Sequence, residues 1–154
     1  MAITINSSYA LLLRKSTLAV VLITMLLLLP GCNRGAQNEA KEFAATFYET
    51  VMNKDFNGVL SLCSEDFLQK SSPEEYLQML NACNKKLGDL KAYEFQKCTV
   101  TNFMMSGTYY ILDYKTEYSK YPAVEQLTLY KRKGEDEIKV LGHHVSSIGF
   151  FAEE

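Results

Sequence analysis

The segment Thr108–Tyr118, TYYILDYKTEY, shows most clearly how the second half of this chain folds. Apolar and charged side chains alternate along it: Tyr110, Leu112, Tyr114 and Tyr118 against Asp113, Lys115 and Glu117. Neighbouring side chains of a strand point to opposite faces, so a period of two is typical of a half-buried strand. We predict a long β-strand whose tyrosines and leucine face a core and whose charged residues face solvent.

The same period extends from Leu90 almost to the C-terminus. In the segment 91–102 the apolar residues change parity near Gln96-Lys97, which predicts a β-bulge that returns both sets to one face. Turn residues separate this strand from the next three, at Ser106-Gly107, Lys120-Tyr121-Pro122 and Lys133-Gly134-Glu135-Asp136. Leu127 and Leu129 mark the inner face of the third strand. The pattern therefore predicts four consecutive antiparallel strands.

The segment before Leu90 has helical spacing instead. Asn38 is a suitable cap for a first helix with one apolar stripe, and Asp55 for a short second one. Ser72-Pro73-Glu74-Glu75 combines a capping hydroxyl, an early proline and a glutamate three residues on, so a third helix begins there and ends near Gly88. The fold class is thus α+β, with three N-terminal helices packed on a curved four-stranded antiparallel sheet.

The N-terminus has the pattern of an export signal. The pair Arg14-Lys15 precedes an apolar run, Leu18–Leu29, of 12 residues, shorter than the roughly 20 residues of a membrane-spanning helix. The run ends in Leu29-Pro30-Gly31-Cys32, which resembles the lipobox of bacterial lipoproteins. The resemblance implies cleavage after Gly31, a diacylglycerol on the Cys32 thiol and acylation, as with palmitate, of the new N-terminus.

Two alternatives stay open for this segment: a plain secretory signal with an incidental cysteine, and an uncut signal anchor. On the lipoprotein interpretation, 1–31 is a removed signal peptide, 32–37 is the lipidated cysteine and a short tether, and 38–154 is a single domain. The protein would be attached to a membrane of the bacterial cell envelope through Cys32, with its domain on the extracytoplasmic side.

Charge argues against some partners. Removal of Arg14 and Lys15 leaves 14 basic residues against 18 acidic ones, a formal charge of -4. A mildly acidic domain is a poor binder of nucleic acid or of anionic lipid. We expect the lipid, and no basic patch, to hold the protein to the membrane.

Three cysteines remain once Cys32 is lipidated: Cys63, Cys83 and Cys98. At most one disulfide can form, and Cys63 with Cys83, on neighbouring predicted helices, is the pair to expect. The alternative is that all three are small buried apolar side chains. Their spacing fits no zinc motif, and no phosphate loop or nucleophile elbow is present, so we expect neither metal nor cofactor.

The order of elements resembles the cone-shaped fold of nuclear-transport-factor-2-like, or cystatin-like, domains from uncharacterised envelope proteins. Structural segments carry the resemblance: Asn53-Lys54-Asp55-Phe56, Ser64-Glu65-Asp66-Phe67, Glu125 with Leu127-Thr128-Leu129, and Ile138-Lys139-Val140-Leu141-Gly142. The resemblance implies a pocket between sheet and helices, used by some relatives for catalysis and by others for binding a ligand or a protein. Fold alone does not choose between these functions.

The adjacent pair His143-His144 is a weak candidate for catalysis, because neighbours on a strand face opposite sides and one of them must point inward. The strand pattern does not decide which, since Ile138, Val140 and His144 compete with Leu141, His143 and Val145. The alternative is a half-buried histidine with a hydrogen-bond partner. Asp113 and Glu117, on the charged parity, are expected to face solvent.

Tyr48, Tyr110 and Tyr114 are candidates to line a ligand pocket with their hydroxyls, although a tyrosine stripe also suits a core. Phe150 and Phe151 follow the last strand and either fold back or form a contact patch, for example in a homodimer.

We expect a non-enzymatic domain that binds a small apolar ligand or another envelope protein. The alternatives are a small isomerase or dehydratase with a histidine base, and an inhibitor or immunity-type protein.

Overall fold

The structure, a computed structural model, describes residues 32–152, with side chains from Arg34 onward. Four helices, here α1 to α4, precede four strands, β1 to β4, and a final 3₁₀ turn. The elements are α1 Cys32–Met52, α2 Phe56–Ser61, α3 Glu65–Lys70, α4 Pro73–Leu87, β1 Leu90–Phe103, β2 Gly107–Tyr118, β3 Pro122–Arg132, β4 Ile138–Ser146 and the turn Ile148–Phe151. The strands pair antiparallel in the order β1-β2-β3-β4. The predicted α+β class and four-stranded antiparallel sheet are confirmed.

The first helix begins earlier than predicted. Asn38 does not cap it, because α1 already runs from Cys32, and the expected tether 33–37 is helical. Tertiary contacts explain why the last two residues of this segment are helical: Ala36 packs against the core, and the Gln37 side chain donates to the carbonyl of Cys98 at 3.2 Å. The lipobox residues Leu29–Gly31 lie outside the described residues, and only the backbone of Cys32 is described.

The prediction of three helices is wrong by one, since α3 lies between the second and third predicted helices. Its cap is Ser64, whose Oγ accepts from the amide of Phe67 at 3.1 Å. The segment before it pairs with the edge of the sheet, because the Ser64 amide donates to Val140 O and the Val140 amide donates to Leu62 O, both at 2.8 Å. These bonds partly cover the edge strand β4, which would otherwise expose unpaired backbone groups.

Besides a register shift between Leu90 and Ala92 at the start of β1, two bulges shape the sheet. Register shifts between Phe95 and Lys97, so Gln96 is the extra residue and the predicted bulge is confirmed. A second irregularity lies in β4, where Thr128 pairs with Gly142 but Leu129 pairs with Val140, leaving Leu141 without an opposite residue. No sequence pattern indicated this second bulge.

The core lies between α1 and the inner face of the sheet, meaning the face that the helices cover. Fully buried residues come from both layers and include Ala40, Ala44, Phe47, Leu112, Leu127, Leu129 and Val140. The predicted inner faces of β2 and β3 are therefore confirmed. Helix α1 runs antiparallel to β1, because Gln37 contacts Cys98, Lys41 Nζ lies 3.8 Å from the centre of the Phe95 ring, and Tyr48 stacks on Tyr93.

Helix α4 has the predicted capping box, with Ser72 Oγ accepting from the Glu75 amide at 3.2 Å and Glu75 Oε2 accepting from the Ser72 amide at 3.1 Å. Gly88 follows the helix with φ of 87°, the positive value that favours glycine. Among the described residues, no helix combines the length and the apolar character needed to cross a bilayer.

Candidate functional site

The two adjacent histidines have different environments. The His143 side chain is 3 % exposed and faces the core, whereas His144 is exposed opposite Gln126 on the outer face of the sheet. The bulge at Leu141 is the physical reason. The extra residue changes the parity of β4, so His143 lies on the inner face together with Ile138 and Val140. In a strand that alternated without a bulge, His143 would lie on the opposite face from these two residues.

Glu125 on β3 lies beside His143 in the core. Its Oε2 is 2.9 Å from His143 Nε2, and its side chain is 1 % exposed. On the other side of the imidazole, the Tyr76 hydroxyl of α4 lies 3.0 Å from Nδ1. A neutral imidazole with its proton on Nε2 satisfies both contacts by donating to the carboxylate and accepting from the tyrosine, and an imidazolium satisfies them by donating to both. The edge of the Phe47 ring packs against the imidazole with centroids 5.1 Å apart.

Two hydroxyls complete the surroundings of Glu125. Tyr118 and Thr116 both donate to its Oε1, at 2.7 and 2.9 Å. Burial raises the pKa of the Glu125 carboxyl, but the hydrogen bond and electrostatic attraction of His143, with the two hydroxyls, outweigh burial and hold that pKa below its ordinary value. The carboxylate is therefore a buried anion with three donors around it.

Glu125 is the residue that sequence reasoning missed, since it served there only to mark a strand. The signal was present. Glu125 shares its parity with Ala123, Leu127 and Leu129, so the alternation that placed the leucines inward also places this acid inward. An acid on the apolar parity of a strand needs buried partners. Those partners come from β2 and β4, and their positions were not readable from β3 alone.

The space next to this network is nearly filled. A cavity of about 10 Å³ borders His143 and Tyr118 and is otherwise lined mainly by apolar side chains such as Val51, Phe56 and Leu80. That volume holds about one water molecule at most. Both imidazole nitrogens already have partners, so a substrate has no route to a free basic nitrogen. The hydrogen bonds of this network connect α4, β2, β3 and β4. Proton transfer between His143 and an outside molecule would require at least one of these hydrogen bonds to break.

The three candidate ligand tyrosines are core residues. Tyr48, Tyr110 and Tyr114 are 0, 2 and 2 % exposed, which leaves no surface for a ligand. Tyr48 stacks on Tyr93 at 4.7 Å and meets Tyr114 edge-on at 4.8 Å. Burial raises the pKa of Tyr48, and it raises that of Tyr114 to about 12. Aromatic packing accounts for this stripe, although the buried Tyr48 hydroxyl has no hydrogen-bond partner among the described residues.

The three cysteines whose side chains the structure describes are all free. Cys63 and Cys83 are buried thiols, so the expected pair is not formed in the structure, and Cys98 is half-buried. Cys63 donates to Val59 O at 3.4 Å, and burial raises its pKa to about 12 and that of Cys83 to about 11. Within the described residues, no three of the His, Cys, Asp and Glu side chains are grouped to hold a metal ion.

The outer face of the sheet carries a much larger concavity, here called the outer groove, of about 470 Å³. It crosses all four strands near the end of the sheet where β2 turns into β3, and the 3₁₀ turn borders it. Its exposed apolar members are Val124 and Ile148, at 55 and 75 % exposure, beside the charged side chains of Glu94, Lys115 and Glu117. Glu117 is exposed as predicted, while Asp113, half-buried on the same face, accepts from Gln126 at 2.9 Å.

Comparison with known proteins identifies a protein of similar fold but indicates no function. No family model matches the chain, and no curated protein matches it. Among solved structures, the chain is similar to Aln2 from a Streptomyces species, with 13 % identity, a TM-score of 0.51, and coverage of 80 % of this chain and 96 % of Aln2. At that identity the likeness concerns the fold alone.

The two histidines provide a matched test of the buried network. We expect His143→Ala to lower the free energy of unfolding by about 3–5 kcal/mol, because it leaves the Glu125 carboxylate buried without its main partner. His144→Ala should change it by less than about 0.5 kcal/mol, as for other exposed positions. Chemical denaturation followed by circular dichroism measures both. Equal effects of the two substitutions would contradict this placement of the histidines.

Acid should weaken the fold partly through Glu125. Because its pKa is lowered on folding, its stabilising contribution is complete above the ordinary carboxyl pKa and is lost as pH falls through the lowered value. We expect Glu125→Gln, which lacks this titration, to lose less stability than the wild type between about pH 7 and about pH 3. Denaturant unfolding at a series of pH values tests this, and parallel curves for the two proteins would refute it.

Proposed function

We propose that this protein is a lipoprotein of the bacterial cell envelope, attached through Cys32, whose domain binds another envelope protein and has no catalytic activity. The anchor rests on the sequence: the charged pair Arg14-Lys15, the apolar run Leu18–Leu29 and the lipobox-like Leu29-Pro30-Gly31-Cys32 in that order. We further propose that the domain is a variant of the nuclear-transport-factor-2-like cone. The helices on one face of a bulged antiparallel sheet support this assignment.

The observation that carries the non-enzymatic proposal is the filled interior around His143. An isomerase or dehydratase needs a pocket in which the base meets the substrate, and a drug-sized ligand fills roughly 300–1,000 Å³. The space beside His143 is about 10 Å³. The same shortage of room argues against a small apolar ligand inside the domain.

The outer groove supports a protein partner. It is large enough for side chains of a partner, at about 470 Å³, and it is a surface concavity in which a small molecule would keep much of its area in water. Small-ligand sites usually bury most of the ligand, whereas protein interfaces combine an apolar centre with a polar rim. Val124 and Ile148 supply the apolar part, and Glu94, Lys115 and Glu117 the rim. An inhibitor or immunity-type protein would be one form of this role.

The anchor is tested by labelling growing cells with radioactive palmitate. The wild-type chain and Cys98→Ser should both incorporate label, because the acyl groups are expected at the N-terminal cysteine. Cys32→Ser should incorporate none, since it lacks the thiol that accepts the diacylglycerol. Label retained by Cys32→Ser would refute the anchor.

The partner is tested with a photo-crosslinking amino acid placed in the full-length chain in cells. Position 124, in the outer groove, should give one discrete adduct with another protein. Position 111 is the matched control, because Ile111 is 36 % exposed on the outer face but does not line the groove. Adding Ile148→Asp should abolish the adduct at 124, since it puts a charge into the apolar part. Equal adducts at 111 and 124, or no protein adduct at either, would contradict the proposal.

A further inference from the structure

The hairpin that joins β1 to β2 ends in three consecutive large apolar residues. Phe103, Met104 and Met105 are 52, 84 and 90 % exposed. Turn residues are usually polar or glycine, so a run of three exposed apolar side chains at a turn is an exception that calls for a covering surface. We call Phe103-Met104-Met105 the hairpin tip.

The hairpin tip is held in place from the neighbouring turn. Ser106 O accepts from the Tyr130 hydroxyl at 2.6 Å and from the Lys133 amide at 3.0 Å. Lys133 Nζ donates to the carbonyl of Met104 at 2.8 Å. These hydrogen bonds hold the backbone of the turn in place while the apolar side chains point outward. This is the arrangement that a segment inserting into a membrane needs.

An aromatic row continues from the tip along the outer face. The rings of Phe103 and Tyr109 are 5.5 Å apart, and those of Tyr109 and Tyr130 are 4.6 Å apart. Tyrosine is enriched at membrane–water interfaces, where its ring contacts the apolar region and its hydroxyl stays hydrated. Apolar residues at the tip followed by tyrosines behind it match the polarity gradient of a bilayer surface.

The tip lies at the end of the domain where the chain enters α1. Gln37 contacts Cys98 on β1, and Glu39 pairs with Lys131 at 2.6 Å near the end of β3. From Cys98 the strand extends about 16 Å further to Phe103. From Gln37 back to Arg34, the first residue whose side chain is described, the helix rises only about 4.5 Å. The tip therefore projects roughly 12 Å beyond Arg34, at the end of the domain from which the chain continues to the proposed anchor, and this reach is sufficient for the ~5–10 Å depth at which interfacial segments sit in a bilayer.

We propose that the hairpin tip inserts into the same phospholipid bilayer as the lipid proposed on Cys32, and so fixes the orientation of the domain on the membrane. This inference rests on the proposed anchor. With the tip in the membrane, the outer groove at the opposite end of the sheet points away from the bilayer, toward partners in the envelope.

Insertion at this site is driven by apolar area and not by charge. Three cations at the end of β3 and in the turn after it are engaged: Lys131 with Glu39, Arg132 with Glu135 at 3.7 Å, and Lys133 with the Met104 carbonyl. Acidic Asp136 and Glu137 follow in the same turn. Anionic lipid should therefore not be required, and salt should have little effect.

The absence of tryptophan from the chain makes a direct test possible, because one introduced indole is then the sole tryptophan fluorophore. Full-length Met104→Trp protein, made in bacteria and purified from membranes, is reconstituted into phosphatidylcholine vesicles with or without brominated acyl chains. Phe151→Trp is the matched control, since Phe151 is 86 % exposed against 84 % for Met104 and lies near the opposite end of the sheet.

We expect blue-shifted emission and strong quenching by bromine for M104W and neither for F151W, unchanged by added phosphatidylglycerol or salt. Equal quenching of both variants, quenching of neither, or quenching of M104W only in anionic vesicles would overturn the inference. Palmitate labelling of the same preparations separates it from the anchor. Labelled M104W protein without quenching refutes insertion of the tip and leaves lipid attachment at Cys32 standing. Quenching in unlabelled protein supports insertion of the tip and refutes lipid attachment.

Discussion

The hydrogen bond between His143 Nε2 and Glu125 Oε2 links two strands of the sheet inside a core that is otherwise apolar and aromatic. A carboxylate in such surroundings is strongly unfavourable unless donors surround it. Here the donors come from His143 and from two hydroxyls on β2, and the imidazole is in turn oriented by Tyr76 of α4. Register of β3 against β4, packing of α4 and the bulge at Leu141 must all be correct together for this network to close. The buried pair thus favours one arrangement of helices and sheet over alternatives with the same apolar pattern.

This role explains why a histidine with a partner acid does not by itself indicate an enzyme. The geometry resembles that of a general base and its orienting carboxylate, yet catalysis needs a reactive nitrogen that a substrate can approach. At His143 both nitrogens are occupied and the adjoining space admits about one water molecule. Perturbed carboxyl groups occur in structural networks as well as in active sites, and access is the property that separates the two cases.

The two surface features on which the proposals rest, the outer groove and the hairpin tip, lie at opposite ends of the sheet. The outer groove borders the turn between β2 and β3, and the hairpin tip lies at the turn between β1 and β2. The sheet is long enough to separate them, because β2 has 12 residues and each residue of a strand adds about 3.4 Å. The membrane contact proposed at one end and the protein contact proposed at the other would therefore not conflict sterically.

The sequence by itself determined the class and order of the elements, because local periodicity reports directly on which face of a helix or strand is apolar. It predicted the four strands, the bulge at Gln96, the inner faces of β2 and β3, and the capping box of α4. The proposed lipid anchor at Cys32 also rests entirely on the sequence. Glu125 was readable as an inward acid from parity alone, although its significance was missed.

Tertiary structure alone decided the rest. The choice between His143 and His144 depended on Leu141, a bulge that arises from pairing with β3 and leaves no local signature. The helical conformation of Ala36 and Gln37, where a tether was expected, depended on contacts with the core and with β1 some 60 residues away. Whether the interior is open or filled is a property of packing between helices and sheet, to which each residue contributes only in combination with its neighbours. Periodicity in the sequence shows which face of each helix or strand is apolar, but the size of a cavity depends on how the faces of different elements pack together.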